Sequence, residues 1–326
     1  MAPVTGAAWH GTRSEIVAAT RAIIARGSTS FALASQLLAP PVRERVWLLY
    51  AWCRAADDLT DGQDAGHNGP TPAAGDAPQR HAWLVECTRA ALDGEEPVPL
   101  PFAALRQVAR EVPLDRAAVS AHLSGFALDA AGWAPQTTED LLDYCYRVAG
   151  AVGVLMAPIL GAEADDAATL DRAADLGIAF QLANIARDIV PDAAQERCYI
   201  PAEWLSVAGI DAAALARPET RAISAKFARR LEQMARGYRQ SARVGAARLP
   251  LRSRWAVLAA EGIYGAIGEE VAARGAAAWD ERVVVTKGAK LMMLARSLVS
   301  AAGPVLLETP RDGLWQRPRG SAATLR

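Results

Sequence analysis

Twice along this chain an apolar stretch with helical periodicity carries carboxylates four residues apart, and that pairing restricts the folds open to it. Residues 50–61 read Tyr-Ala-Trp-Cys-Arg-Ala-Ala-Asp-Asp-Leu-Thr-Asp. At this spacing Asp57 and Asp61 project from one helix face, with Arg54 a turn before them and Tyr50 and Cys53 extending the face. Like charges so placed cost an isolated helix a few tenths of a kcal/mol, roughly, a cost that a divalent cation reverses. Mg²⁺ takes one or two carboxylates and completes its octahedron with water and phosphate oxygens. The preceding Val46-Trp47-Leu48-Leu49 is apolar, so the acids fall where the helix should be buried. Alone, the cluster reads equally well as a helix end running into an acidic loop.

Residues 181–192 repeat the pattern as Gln-Leu-Ala-Asn-Ile-Ala-Arg-Asp-Ile-Val-Pro-Asp. Asn184, Asp188 and Asp192 follow at steps of four, Gln181 lies a turn earlier, and Arg187 and Arg197 are close by. The stripe is set among Leu176, Ile178, Phe180, Ile185 and Ile189. A buried polar network joining two helices is the bland reading. That reading does not call for a second acidic stripe with the same spacing. Two such helices face to face predict a cavity with oxygen ligands and cations at its rim and apolar walls below. The arrangement suits a diphosphate head and a long hydrocarbon tail. Ionisation of an allylic diphosphate leaves a carbocation that must be kept from water and that aromatic faces stabilise. Tyr50, Tyr144, Tyr264 and Phe31 are candidates, each weighed against simple core packing.

The rest of the chain is consistent with an all-α fold. Its 326 residues are 52 % apolar, and no segment alternates with period two, so no sheet is expected. Helices are predicted near 14–38 (broken at Gly27-Ser28-Thr29-Ser30), 42–61, 79–93, 101–112, 115–131, 138–161, 167–190, 211–216, 219–245, 250–274 and 287–303. Pro158 is expected to kink the apolar Val148–Ala162 helix, which falls short of the ~20 residues needed to cross a bilayer. Gly62 to Gln79 reads as a loop. One helical domain is expected over 1–303, followed by a Pro-, Gly- and Arg-containing tail at 304–326 with no fixed structure. The net charge of −1 gives no sign of nucleic-acid binding. Cys53, Cys87, Cys145 and Cys198 form no CxxC pair, and the four histidines are scattered, so neither a disulfide framework nor a zinc site is expected. No basic segment followed by an apolar run opens the chain, so a cytoplasmic location is expected.

With these motifs in hand, the chain resembles the squalene and phytoene synthase family of head-to-head prenyl synthases, from about Gly27 to Leu291. Gly27-Ser-Thr-Ser-Phe-Ala32 resembles its N-terminal diphosphate-binding segment, and Tyr50–Asp61 its first aspartate-rich motif. Tyr144-Cys-Tyr-Arg-Val-Ala-Gly-Ala-Val-Gly153 resembles its central motif. Gln181–Asp192 with Arg197-Cys-Tyr-Ile-Pro201 resembles its second. Leu249–Tyr264 and Arg282-Val-Val-Val285 with Lys287 resemble its C-terminal part, and the wording is closest to the bacterial phytoene-forming members.

The resemblance implies a single-domain isoprenoid-synthase helical bundle with a central cavity. It implies Mg²⁺, with Mn²⁺ as a substitute, held by Asp57, Asp61, Asn184, Asp188 and Asp192. It places Ser28, Ser30, Phe31, Tyr50, Arg54, Gln181, Arg187, Arg197, Tyr264 and Arg282 on substrate, and Tyr144 near the reacting carbons. It implies two geranylgeranyl diphosphates condensed through prephytoene diphosphate to phytoene, with no NADPH, within carotenoid biosynthesis beside downstream carotenoid enzymes. A product so apolar predicts peripheral association with the inner face of a membrane. Two departures stand out: Thr29 where relatives often carry lysine, and Pro191, expected to end or kink the helix and weaken Asp192 as a ligand. A squalene or dehydrosqualene synthase using farnesyl diphosphate, a terpene cyclase and an inactive prenyl-binding protein remain as alternatives.

Overall fold

A computed structural model describes residues 8–61, 77–95, 98–303 and 310–318. Among these residues every regular element is helical. In chain order they are α1 (Arg13–Gly27), α2 (Thr29–Ser35), α3 (Pro40–Asp61), α4 (Ala77–Asp93), α5 (Leu100–Glu111), α6 (Arg116–Ala130) and α7 (Thr138–Cys145). There follow α8 (Ala151–Ile159), α9 (Ala167–Ala193), α10 (Ala202–Ala208), α11 (Arg221–Ala246), α12 (Leu251–Arg274) and α13 (Lys287–Ala302). The expected loop at 62–79 lies outside the described residues up to 76, and α4 begins at Ala77.

Local chemistry sets the ends. Thr12 and Glu15 close a reciprocal capping box on α1, and Thr137 and Asp140 do the same on α7. Asp115 and Asp166 cap α6 and α9, each accepting backbone N–H bonds. Gly161 takes a left-handed φ of 103° after α8, where a side chain would be strained.

The 27-residue α9 runs through the centre, packed by α8, α11 and α12. Its contact with α8 is backbone on backbone. A Cβ at Gly153 would lie 2.1 Å from the Ala173 carbonyl oxygen, and one at Gly177 2.2 Å from that of Ala149. Just before α8, Tyr146–Gly150 form a π-helical turn, with the Ala151 N–H donating to the Tyr146 carbonyl. The departure from α-helical bonding falls at this π turn, while Pro158 sits in the last turn of α8.

The C-terminal segment corrects an expectation. Residues 310–318 pack onto α9, because α9 buries two carboxylates there that need cations. Asp175 is fully buried and Asp171 is 3 % exposed. Arg311 forms a forked pair with Asp175 at 2.6 and 2.8 Å, and Arg317 Nε reaches Asp171 at 2.6 Å. Ser241 of α11 also donates to Asp175, and Trp315 packs on Tyr146 with ring centroids 5.3 Å apart. Burial raises the Asp175 pKa, and the Arg311 and Ser241 hydrogen bonds oppose the rise. The remainder of the expected tail lies outside the described residues.

His122 is a core residue, 2 % exposed, against Trp52 and Phe126. Its Nδ1–H donates to the Arg147 carbonyl at 3.2 Å. Burial pushes its pKa down to about 4. No described helix is long and apolar enough to cross a membrane.

Two outcomes are expected. Arg311→Met, which leaves Asp175 buried without its cation, lowers unfolding free energy by about 3 kcal/mol in denaturant titration. The depressed pKa of His122 means the unfolded chain binds the extra proton first. Stability is then full above the ordinary histidine range and falls as pH drops from about 6.5 to about 4. His122→Phe flattens that slope in melts recorded across the interval.

Candidate active site

One large cavity, about 1030 Å³, opens between α2, α3, α8, α9 and α12. That is at the top of the range for small-molecule sites. Its apolar floor is formed where α8 and α9 touch, by Val152, Gly153, Met156, Leu160, Ala173 and Leu176, with Leu38, Val46 and Ile267 opposite. Its rim carries charge from two walls.

The first wall is α3. Arg54 reaches Asp57 at 2.8 Å through Nη1 and also donates to Asp58, with Nε–Oδ1 at 2.9 Å. Asp58 is 5 % exposed and absent from the cavity lining, so it orients Arg54 from behind. Asp57 keeps a 43 % exposed side chain on the lining. Tyr50 lies against Phe31 with ring centroids 5.5 Å apart. Burial pushes its phenol up to about 12 and the neighbouring Cys53 thiol to about 12, so both stay protonated. Gly27 is required for close approach, since a Cβ there would lie 2.4 Å from the Tyr50 hydroxyl. Ser28 caps α2 through the Phe31 N–H at 3.2 Å, and its hydroxyl is hydrogen-bonded to that of Tyr264.

The second wall is the C-terminal half of α9. Gln181, Asn184, Arg187, Asp188 and Asp192 all line the cavity, and Asn184 donates to Gln181 at 3.5 Å. Arg187 forks onto Asp188, with Nε 3.0 and 3.1 Å from its two oxygens, and Arg282 approaches the same carboxylate at 3.6 Å. Arg197 follows from the loop after α9. Tyr264 of α12 stacks on Phe180 at 4.3 Å.

The expectation that Pro191 interrupts α9 is corrected. The helix continues through Asp192 to Ala193. Proline removes the N–H that would have bonded the Arg187 carbonyl one turn back. The Trp279 indole N–H, from the turn after α12, donates to that carbonyl at 2.9 Å and replaces it.

Fourteen of the predicted site residues therefore share one cavity: Ser28, Phe31, Tyr50, Arg54, Asp57, Tyr144, Gln181, Asn184, Arg187, Asp188, Asp192, Arg197, Tyr264 and Arg282. The side chains of Ser30 and Asp61 lie outside the described residues, although both backbones are helical. Sequence reasoning missed Asp129, Arg26 and Trp279, and it did not assign Tyr199. Asp129, at the end of α6, accepts from the Tyr144 hydroxyl at 2.9 Å and the Tyr199 hydroxyl at 3.0 Å. The two phenol rings stack at 5.0 Å, with Trp133 behind Tyr144 at 5.5 Å. Burial and then the Asp129 charge hold both phenols above their ordinary range. Asp129 has no acid one turn away, so periodicity carries no signal for it. Tyr199 lay in plain view beside Arg197.

The donor set suits a hard divalent cation shared with phosphate. Asp57 and Asp188 set carboxylate oxygens on opposite walls of the cavity. Carboxylates of this kind fit an ion that takes one or two of them and completes its shell with substrate oxygens.

Helical bundles of this form are found in prenyl synthases. The chain is similar to a dehydrosqualene synthase solved with a ligand, with a TM-score of 0.74 and 26 % identity over 87 % of this chain and 96 % of that one. A squalene synthase from Alicyclobacillus acidocaldarius shares the fold, with a TM-score of 0.70 at 22 % identity over 81 % and 95 % of the two chains. Residues 24–289 match the squalene/phytoene synthase family model, and the chain belongs to that family. It is 45 % identical to a 15-cis-phytoene synthase of Enterobacter agglomerans, over 90 % of this chain and 99 % of that protein. It is 43 % identical to another from Paracoccus sp. (strain N81106 / MBIC 01143), over 94 % and 99 %.

Trp279→Phe leaves the Arg187 carbonyl without a donor and is expected to cost about 1–2 kcal/mol in unfolding free energy. Pro191→Ala returns the backbone N–H. The double variant Trp279→Phe/Pro191→Ala should therefore recover at least half of the loss in a double-mutant cycle.

Proposed function

We propose that this chain condenses two molecules of geranylgeranyl diphosphate head to head, through prephytoene diphosphate, to 15-cis-phytoene, with Mg²⁺ as its ion. The observation that carries the reading is the pair of facing walls. Each sets an aspartate held by an arginine at the rim of one cavity with an apolar floor. The 43–45 % identity to 15-cis-phytoene synthases over at least nine-tenths of the chain favours this product over the C30 alternatives.

Asp57 and Asp61 on one wall, and Asn184, Asp188 and Asp192 on the other, would hold the ion. Bound there, it supplies charge to the departing diphosphate. Arg54, Arg187, Arg197 and Arg282 take diphosphate oxygens, and the planar guanidinium matches them in forked geometry. In the first step the C–O bond of one substrate breaks and inorganic diphosphate leaves. The double bond of the second substrate attacks the allylic cation, and loss of one proton closes the cyclopropane. In the second step the remaining C–O bond breaks, the skeleton rearranges, and a further proton is lost to give the central double bond. No hydride enters, so the balance requires no NADPH.

The side chains act mainly by exclusion and position. Tyr50, Phe31, Phe180 and Tyr264 present ring faces to the cation and no ionised group to quench it. Tyr144 and Tyr199 both donate to Asp129, which fixes the two stacked rings in the cavity wall. The protein works within the cytoplasm, at the inner face of a membrane that accepts its hydrocarbon product.

Purified protein with geranylgeranyl diphosphate and Mg²⁺, without NADPH, is expected to form a C40 hydrocarbon and two diphosphates per product. A C30 product formed preferentially from farnesyl diphosphate would overturn the reading. Asp57→Ala and Asp188→Ala should each lower turnover by at least about 10²-fold, with helical circular dichroism unchanged.

A further inference from the structure

The solvent face of α13 runs against the usual rule for a surface helix. Its buried side carries the small residues Ser297 and Ala301, packed on α12. The Trp255 indole N–H donates to the Leu294 carbonyl at 2.9 Å, and Arg254 donates to the Ala301 carbonyl at 3.1 Å, so the helix is fixed in this orientation. Turned outward are Leu291 (63 % exposed), Met292 (53 %), Leu298 (41 %) and Val299 (74 %). With Val284, 67 % exposed just before the helix, they make up five of the seven large exposed apolar side chains among the described residues. At 100° per residue the four on α13 lie on one side, with Ala295 and Ala302 between them and exposed Lys287 and Arg296 at the margins.

Charge narrows what can cover this face. From Arg282 to Gly303 the chain has four basic residues and no acidic one, within a molecule whose net charge is −1. An apolar stripe bordered by cations suits an anionic bilayer surface. A second copy of the chain would bring the same positive charge against it. Exposed Val284, just before the helix, also lines the cavity, and Lys290 lines it from the inner side of α13.

We propose that the exposed face of α13 is a membrane-docking surface for anionic lipid. It inserts Leu291, Met292, Leu298 and Val299 among the acyl chains and sets the cavity mouth against the bilayer. Leu291 and Val299 are two turns apart, about 12 Å along the helix, so the stripe lies in the plane of the surface. The assignment deepens the membrane location proposed above and rests on it. It does not depend on the identity of the product.

The test is flotation of the full-length protein with vesicles of phosphatidylcholine, with and without phosphatidylglycerol. The unaltered protein should float with the anionic vesicles and be released by high salt. Leu291→Gln/Val299→Gln should lower the bound fraction at least about tenfold. Arg296→Gln should weaken binding to anionic vesicles by about fivefold, with little change on neutral ones. In detergent micelles both variants should retain unaltered turnover, which separates docking from catalysis. Equal flotation of all proteins would overturn the assignment. So would light scattering that shows a dimer for the unaltered chain and a monomer for Leu291→Gln/Val299→Gln. If the unaltered protein does not float at all, the membrane location itself fails, whatever product it makes.

Discussion

Everything in this molecule is arranged around the burial of a charged helix. α9 carries Asp171, Arg172, Asp175, Arg187, Asp188 and Asp192 through the centre of the bundle. A carboxylate taken from water must be paired or neutralised. At its N-terminal half the pairing is permanent: Arg311 and Arg317 come from the far end of the chain and close on Asp175 and Asp171. At the C-terminal half Asp188 is partly exposed on a cavity and is held by Arg187 and Arg282. The same electrostatics yields a structural latch at one end and an exchangeable site at the other. The difference is whether solvent and substrate can reach the charge.

The two walls share a design. Arg54 holds Asp57, and Arg187 holds Asp188, before any ligand arrives. Cations already fixed at the rim would need little reorganisation to receive a diphosphate. Below the rim the chemistry changes within one helical turn. Where α8 and α9 meet, Gly153 lets the backbones touch, and Val152, Met156, Leu160, Ala173 and Leu176 line the floor. The aromatic residues between rim and floor are held by stacking, and their phenols are kept neutral by burial.

Much of this was legible in the residues. The step of four in Asp57 and Asp61, and in Asn184, Asp188 and Asp192, reports helix face directly, since side-chain direction repeats with the helical turn. The helix order and the gathering of fourteen predicted side chains into one cavity agree with that reading. What escaped it depends on partners distant in sequence. Asp129 meets Tyr144 and Tyr199 from the end of another helix, 15 and 70 residues away. Pro191 read as a break because local rules count the lost N–H. They cannot count the Trp279 indole that replaces it from 92 residues away relative to Arg187. The segment 310–318 read as unstructured because its composition is poor in apolar residues, while its two arginines are fixed by acids 136 and 146 residues earlier.

The sequence by itself determined the helical class, the two metal-type stripes and the chemistry of the rim, because periodicity and residue type are local properties. The tertiary structure decided which carboxylates are latched and which are open to a ligand. It also decided that α9 survives its proline, and that α13 turns its large apolar side chains outward. Those outcomes depend on which distant group supplies a donor, a cation or a covering surface, and only the assembled bundle brings those groups within reach.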